Sequence, residues 1–152
     1  MKLTPKLAKI LLNLYPPYIG AGVKCTYISD DWDELHVEMK VRWYNKNKVG
    51  THFGGSLYSM TDPHLMLLLM QKLGRNYYVW DKSADIDFIK ATKKPVKAVI
   101  RLSQERIDEI KANTESGDKF LPEFELDIIN TDRELIARVN KTLYIKKKPS
   151  KA

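Results

Sequence analysis

The apolar positions of this chain change period several times, and each change marks an element. Near the start, Leu3, Leu7, Ile10, Leu11 and Leu14 fall on one helical stripe, with Thr4 and Pro5 as N-cap and first helical residue and Pro16 as the stop. The spacing predicts a short helix laid across a core. Period two then takes over. Val23, Cys25 and Tyr27 alternate with Lys24 and Thr26. Beyond a turn at 30–33, Leu35, Val37, Met39, Val41 and Trp43 alternate with His36, Glu38, Lys40 and Arg42. Two half-buried strands paired antiparallel are expected, the second running from Leu35 to Trp43 with His36 on its solvent side.

From Ser56 to Leu73 the period lengthens again. Leu57, Met60, Leu65, Leu67, Leu68, Leu69, Met70 and Leu73 are spread all round a helical projection, which predicts an enclosed central helix. Four strands follow. Tyr78, Trp80, Ala84, Ile86 and Phe88 share one parity, as do Val96, Ala98, Ile100 and Leu102, then Phe124, Leu126 and Ile128, and finally Leu135, Ala137, Val139, Leu143 and Ile145. Between the fourth and fifth strands, Ser103 to Thr114 reads as an inserted amphipathic helix with Ser103 as cap, Ile107 and Ile110 inward, and Gly117 closing the excursion. Residues 146–152 read as a solvated basic tail. The expectation is a single α+β domain over 1–152, with six strands around one long central helix, a short N-terminal helix and a helical insertion at 103–117.

Composition narrows the partners. The length suits one domain with a sizeable core. Lys and Arg total 26 against 19 Asp and Glu, a net charge of +7 that favours anionic ligands such as phosphate-bearing cofactors. Nucleic acid is not the expected partner, because the lysines are dispersed and no helix-turn-helix, zinc module or aromatic RNA-binding motif is present. One cysteine excludes an intrachain disulfide framework and, with 3 histidines, argues against a metal site. A reducing, cytoplasmic setting is expected. Lys6 and Lys9 interrupt any secretory signal, and the apolar run from Leu65 to Met70 is far shorter than a membrane span.

The candidate chemistry sits in N-K-V-G-T-H-F-G-G-S-L-Y-S-M-T-D, residues 47–62. Gly54 and Gly55 permit close approach of a ligand, and a helix starting there turns its free N–H groups and positive dipole end towards a carbonyl or phosphate. Asp62, set in an apolar helix, must find donors or carry a raised pKa, and a carboxyl tuned in that way serves as general base or nucleophile. Asp62-Pro63 also reads as an N-cap and first-turn proline, since proline inside a continuous helix costs about 3 kcal/mol. Both readings stand at this level. Seven helical residues separate Gly55 from Asp62, roughly 10 Å along the axis, too far for both to touch one reacting carbonyl.

An all-round apolar helix after two strands, with four more to follow, suits a curved antiparallel sheet wrapped around that helix, the layout of the hotdog fold. The opening motif resembles that of hotdog thioesterases of the phenylacetate-pathway type, Asn-x-x-Gly-x-x-His-Gly-Gly with an aspartate seven residues on. Asn47, Gly50, Gly54, Gly55 and Asp62 stand in that spacing, and Ile86 to Ala91 is similar to the family's third strand. Phe53 occupies the histidine position, with His52 one residue earlier. The nearest likeness is to an uncharacterised hotdog branch catalogued as a domain of unknown function.

The resemblance implies a homodimer, with a tetramer also open, in which sheets join edge to edge and the Gly55 amide of one protomer faces Asp62 of the other. It implies an acyl-CoA thioester as substrate, with no metal or further cofactor. Gly55 N–H would polarise the thioester carbonyl, Asp62 would activate water or attack directly, and Asn47 would place the water or the carboxylate. Gly54, His52, Phe53 and Ser56 would line the substrate site, while Lys90 and Lys93 meet the coenzyme A phosphates. Plain turn roles for Asn47 and the lysines stay open. The alternative is a non-catalytic acyl-CoA-binding or scaffolding hotdog protein, with Phe53 marking lost chemistry.

Overall fold

In a computed structural model that describes residues 3–149, the alternating segments join into one antiparallel sheet. In chain order the elements are α1 (Pro5–Leu14), α2 (Pro16–Ala21), β1 (Val23–Ile28), β2 (Glu34–Met39), α3 (Gly54–Ser59), α4 (His64–Leu73), β3 (Tyr77–Phe88), β4 (Val96–Arg101), α5 (Gln104–Thr114), β5 (Lys119–Phe120), β6 (Glu123–Asn130) and β7 (Leu135–Lys147). The sheet order is β1-β2-β4-β6-β7-β3. The six expected strands are present, and the seventh, β5, is a two-residue addition on β7. Leu65, Leu68 and Leu69 of α4 share one core with Leu35, Val37, Ile100, Ile128, Val139 and Leu143 of the sheet. Each such leucine, fully buried, contributes roughly 1.5–3 kcal/mol. No described helix is long and apolar enough to cross a membrane.

The central helix is not continuous. It ends at Ser59 and restarts at His64, with Met60 to Pro63 as the joint. Proline at 63 lacks the N–H that a continuing helix needs, and its ring would clash with the preceding turn. Pro63 is itself the N-cap of α4, and no side chain caps that end, so Asp62 does not cap the helix. Nor is α4 enclosed all round. Met70 is 47 % exposed and Met66 and Leu67 are half-buried, because within one chain the sheet covers only one side.

The N-terminal helix sits rotated from the expected stripe. Ala8 is buried and Leu12 half-buried, whereas Ile10, Leu11 and Leu14 are exposed. Asn13 sets this roll. Its Nδ2 donates to Cys25 O at 2.9 Å and its Oδ1 accepts from Cys25 N at 2.8 Å, which ties α1 to the outer edge of β1. Pro16 ends α1 as expected but also opens α2, whose Tyr18 is buried.

Three further differences have local causes. The second strand stops at Met39 and does not reach Trp43, because the buried Asn45 side chain holds the chain in a turn. It accepts from Arg42 N at 2.6 Å and donates to Lys40 O and Ala21 O at 3.0 and 3.1 Å. In β3 a bulge between Asp81 and Ser83 breaks the single parity. Tyr78 and Trp80 pair with Lys146 and Tyr144 on the outer face, while Ala84, Ile86 and Phe88 pair with the buried Lys141, Val139 and Ala137 on the inner one. Lys146 and Lys147 are strand residues paired with Tyr78 and Tyr77, so the solvated tail is shorter than 146–152, and residues 150–152 lie outside the described chain.

Leu68→Ala should cost about 2–5 kcal/mol in urea denaturation, since it removes a buried side chain from the centre of the core. Leu11→Ala, on the exposed side of α1, should stay within about 0.5 kcal/mol of the parent.

Candidate active site

The turn that opens α3 is built by side chains before any helix begins. Gly50 takes a φ of +85°, and Asn47 closes the loop around it. Asn47 Oδ1 accepts from Val49 N and Thr51 N at 3.1 and 3.0 Å, and its Nδ2 donates to Thr51 Oγ1 and His52 O at 2.8 and 3.3 Å. All of its polar capacity is engaged there, which leaves none for placing a water or a carboxylate. The direct role expected for Asn47 gives way to the turn role. Phe53 N then donates to Asn45 O, and the chain enters α3 at Gly54.

The first amide of α3 to find a carbonyl is that of Leu57, which donates to Phe53 O. The N–H groups of Gly54, Gly55 and Ser56 precede it and make no hydrogen bond within the described chain. Neither Gly54 nor Gly55 has a positive φ; what their missing side chains leave room for is an aromatic ring beside each. A Cβ on Gly54 would lie 2.9 Å from Phe88 Cζ, and one on Gly55 would lie 2.5 Å from Phe53 Cε1. Phe53, the departure from the family motif, thus lays its ring over the side of Gly55 where a side chain would project.

A cleft of about 390 Å³ gathers four of the expected residues, Asn47, His52, Gly54 and Lys90, together with Phe88 and Ile89. His52 is buried, its Nε2 meets Lys94 O at 2.8 Å, and its Nδ1 has no partner. Burial holds its imidazole below the ordinary pKa and so neutral. Lys90 pairs with Glu134 and Lys94 with Asp132 at the rim. The Lys93 side chain lies over the turn, with its Nζ 3.8 Å from where a Gly50 Cβ would stand. Ser56 is buried under the first turn of α3.

Asp62 lies elsewhere. Its Oδ1 receives Lys141 Nζ at 3.1 Å, and the same ammonium reaches Asp81 Oδ2 at 3.0 Å. The Lys141 side chain is 0 % exposed, against 43 % for Asp62 and 24 % for Asp81. Burial pushes the Asp62 carboxyl up, but the hydrogen bond with Asp81 and the charge of Lys141 outweigh it and hold Asp62 below the usual carboxylate range. Burial and the bond to Asp62 push Asp81 the other way. Burial works against the Lys141 charge, and the two carboxylates more than offset it. Of the two expectations for Asp62, finding donors or carrying a raised pKa, the geometry matches the first. Neither Lys141 nor Asp81 was among the expected site residues. The signal was present, for Lys141 occupies the inward phase of the run Val139, Leu143, Ile145.

The Asp62 backbone is held as well. The Tyr18 hydroxyl donates to Asp62 O, and His64 Nε2 lies 2.8 Å from the same hydroxyl. With the hydroxyl proton given to Asp62, His64 Nε2 is the donor, and its Nδ1 is left buried without a partner. Burial dominates here too, pushing the Tyr18 phenol up and His64 down to about 3. Among the described residues no group of three or more His, Cys, Asp or Glu is placed to hold a metal ion.

The curved sheet, the helix pair seated on its inner face and the glycine-opened turn define a hotdog fold. A family model described as Domain of unknown function (DUF4442) matches residues 5–145, and the chain belongs to that family. No curated protein matches the sequence. Among solved structures, the chain is similar to a protein of unknown function and probable thioesterase from Pseudomonas aeruginosa, at 18% identity and a TM-score of 0.82, covering 97% of this chain and 98% of that one. It is also similar to a Haemophilus influenzae thioesterase (14% identity, TM-score 0.70, 99% and 95% covered). Mouse thioesterase superfamily member 2 aligns at 19% identity and a TM-score of 0.64, over 98% and 100% of the two chains.

The buried His64 gives a pH test. The unfolded chain binds a proton near 6.5 that the folded chain refuses until about pH 3, so folded stability falls as pH drops through that window. The slope approaches about 1.4 kcal/mol per pH unit. Urea denaturation of His64→Gln between pH 6.5 and 4.5 should show a flatter slope than that of the parent, the difference growing from about half a proton to nearly one across that range.

Proposed function

We propose that the protein is an acyl-CoA thioester hydrolase whose sites form between two copies of the chain. The observation that carries this reading is the placement of both clusters along one unpaired edge. β3 ends the sheet, with Phe88 beside Gly54 and Asp81 beside Asp62. A second copy joined antiparallel at this edge about a two-fold axis reverses the direction of its β3, so the Phe88 end of one chain meets the Asp81 end of the other. The Gly54–Gly55 amides would then face the partner's Asp62, which supplies the reach that one chain lacks.

In this arrangement the thioester carbonyl accepts from Gly55 N–H, where the free start of α3 stabilises negative charge. Asp62, kept ionised by Lys141, takes a proton from water as the hydroxyl adds to the carbonyl carbon. Collapse of the tetrahedral intermediate breaks the C–S bond, and the departing thiolate recovers the proton from Asp62, leaving the carboxylic acid and free coenzyme A. Lys90 at the cleft and Lys93 over the Gly50 turn would meet the coenzyme A phosphates, and the exposed Phe88 and Ile89 line the apolar wall of the cleft. The thioesterases with which the chain shares its fold support this class of reaction.

One observation favours a second reading, a non-catalytic acyl-CoA-binding protein. The Phe53 ring lies against Gly55, where a hydrolase of this type exposes an amide, and in that reading the cleft binds without turnover.

Thiol release from a panel of acyl-CoAs separates the two. Hydrolysis should appear in the wild type and fall at least 10²-fold in Asp62→Asn, in keeping with loss of a general base. Heat of acyl-CoA binding without any thiol release would instead establish the second reading. Sedimentation should show a dimer, and a monomer at micromolar concentration would remove the shared-site mechanism.

A further inference from the structure

The last strand puts a lysine where an apolar residue would pack. Lys141 stands between Val139 and Leu143 on the inward face of β7, completely buried, and isolating an ammonium in this way costs several kcal/mol unless its partners are well placed. The surroundings are fitted to it. The residue directly across on β3 is Ala84, small enough to leave the lysine stem room. Asp81, just before the bulge, pairs with the buried Leu143 and so stands on the same inner face, on the diagonal from Lys141, where its Oδ2 lies 3.0 Å from the ammonium. From the other side the joint between α3 and α4 presents Asp62 Oδ1 at 3.1 Å. Tyr58 of α3 flanks the charge, its ring centroid 5.9 Å from Nζ. His64 of α4 and Tyr18 of α2 face the Asp62 backbone and make no bond to its carboxylate.

Two carboxylates therefore share one ammonium, and they are not equivalent. Asp81 is the more enclosed and keeps Oδ1 buried without a partner, whereas Asp62 is the more open to solvent. A lysine present only for packing would be better replaced by methionine of similar length, and a plain core ion pair would need one carboxylate.

We propose that Lys141, anchored from behind by Asp81, is the positioning residue of the site, fixing the direction of the Asp62 carboxylate towards the shared cleft and keeping it negatively charged. This rests on Asp62 being the base. Lys141 touches no substrate; it acts through Asp62. Asp81 serves as the rear anchor, holding the ammonium so that it does not follow Asp62 outward.

The test reads Asp62 directly, by carbon-13 NMR titration of its carboxyl, alongside the acid limb of kcat/KM. In Lys141→Met the Asp62 midpoint should rise by one pH unit or more, since an opposite charge at this range lowers a carboxyl by about 1–3 units. The acid limb should rise by the same amount, so that activity lost on its acid side returns as the pH is raised. In Asp81→Asn the midpoint should stay in place or fall, because the amide can still donate to Asp62 while bringing no negative charge. A merely structural role would lower Tm in both variants and move neither midpoint. If Lys141→Met does not fold, Lys141→Gln combined with Asp81→Asn removes the ammonium and one carboxylate together, and its Asp62 midpoint should lie above that of Asp81→Asn alone. An unmoved Asp62 midpoint in a folded variant lacking Lys141 overturns the proposal whatever the activity. Survival of hydrolysis in Asp62→Asn overturns the assignment of the base and leaves the NMR result standing.

Discussion

A central helix that ran unbroken from Gly54 to Leu73 would carry Asp62 round with its own screw, and the direction of the carboxylate would be set by helical phase alone. Pro63 prevents this. Its missing N–H and its ring end one helix and start another, and the four-residue joint leaves Asp62 free to take the direction its partners impose. Those partners come from both directions along the chain, Tyr18 on its backbone carbonyl and Lys141 on its carboxylate. The result is a carboxyl outside any helix yet fixed at both ends.

Charge and desolvation divide the rest of the site. At the glycine turn, burial keeps His52 neutral, the free amides provide the positive field, and the ion pairs at the rim lie in solvent, where each contributes little. At the joint, a buried cation holds two carboxylates whose proton affinities are driven apart. Of the two, Asp62 is the one held more firmly in its charged form. The two regions therefore differ in character, unpaired donors at one and a charged carboxylate at the other, separated along the length of one strand.

Much of this was legible in the residues because it is local. Alternation placed six strands, Ser103 does accept from Arg106 N at the start of α5, and Ile107 and Ile110 are its buried residues. The proline penalty pointed to the break before the structure located it. What escaped depends on distant partners. Asn13 and Asn45 read as ordinary polar residues until one meets the backbone of Cys25 and the other that of Lys40 and Ala21. The β3 bulge reverses a parity that the letters alone present as unbroken. Lys141 was visible as a charge on an apolar phase, but its meaning lies 79 residues away at Asp62. Asn47 was singled out for chemistry, and its own turn takes up every polar atom it has.

The two borders of the sheet are treated differently. β1 has its outer backbone engaged by Asn13 and lies under α1 and α2, whereas the twelve residues of β3 face outward with their ladder groups open. A ribbon with a single adhesive rim can be extended only once. A matching copy that adds there through its own β3 presents in its turn only the covered β1 border, so that accretion of like chains halts after one step.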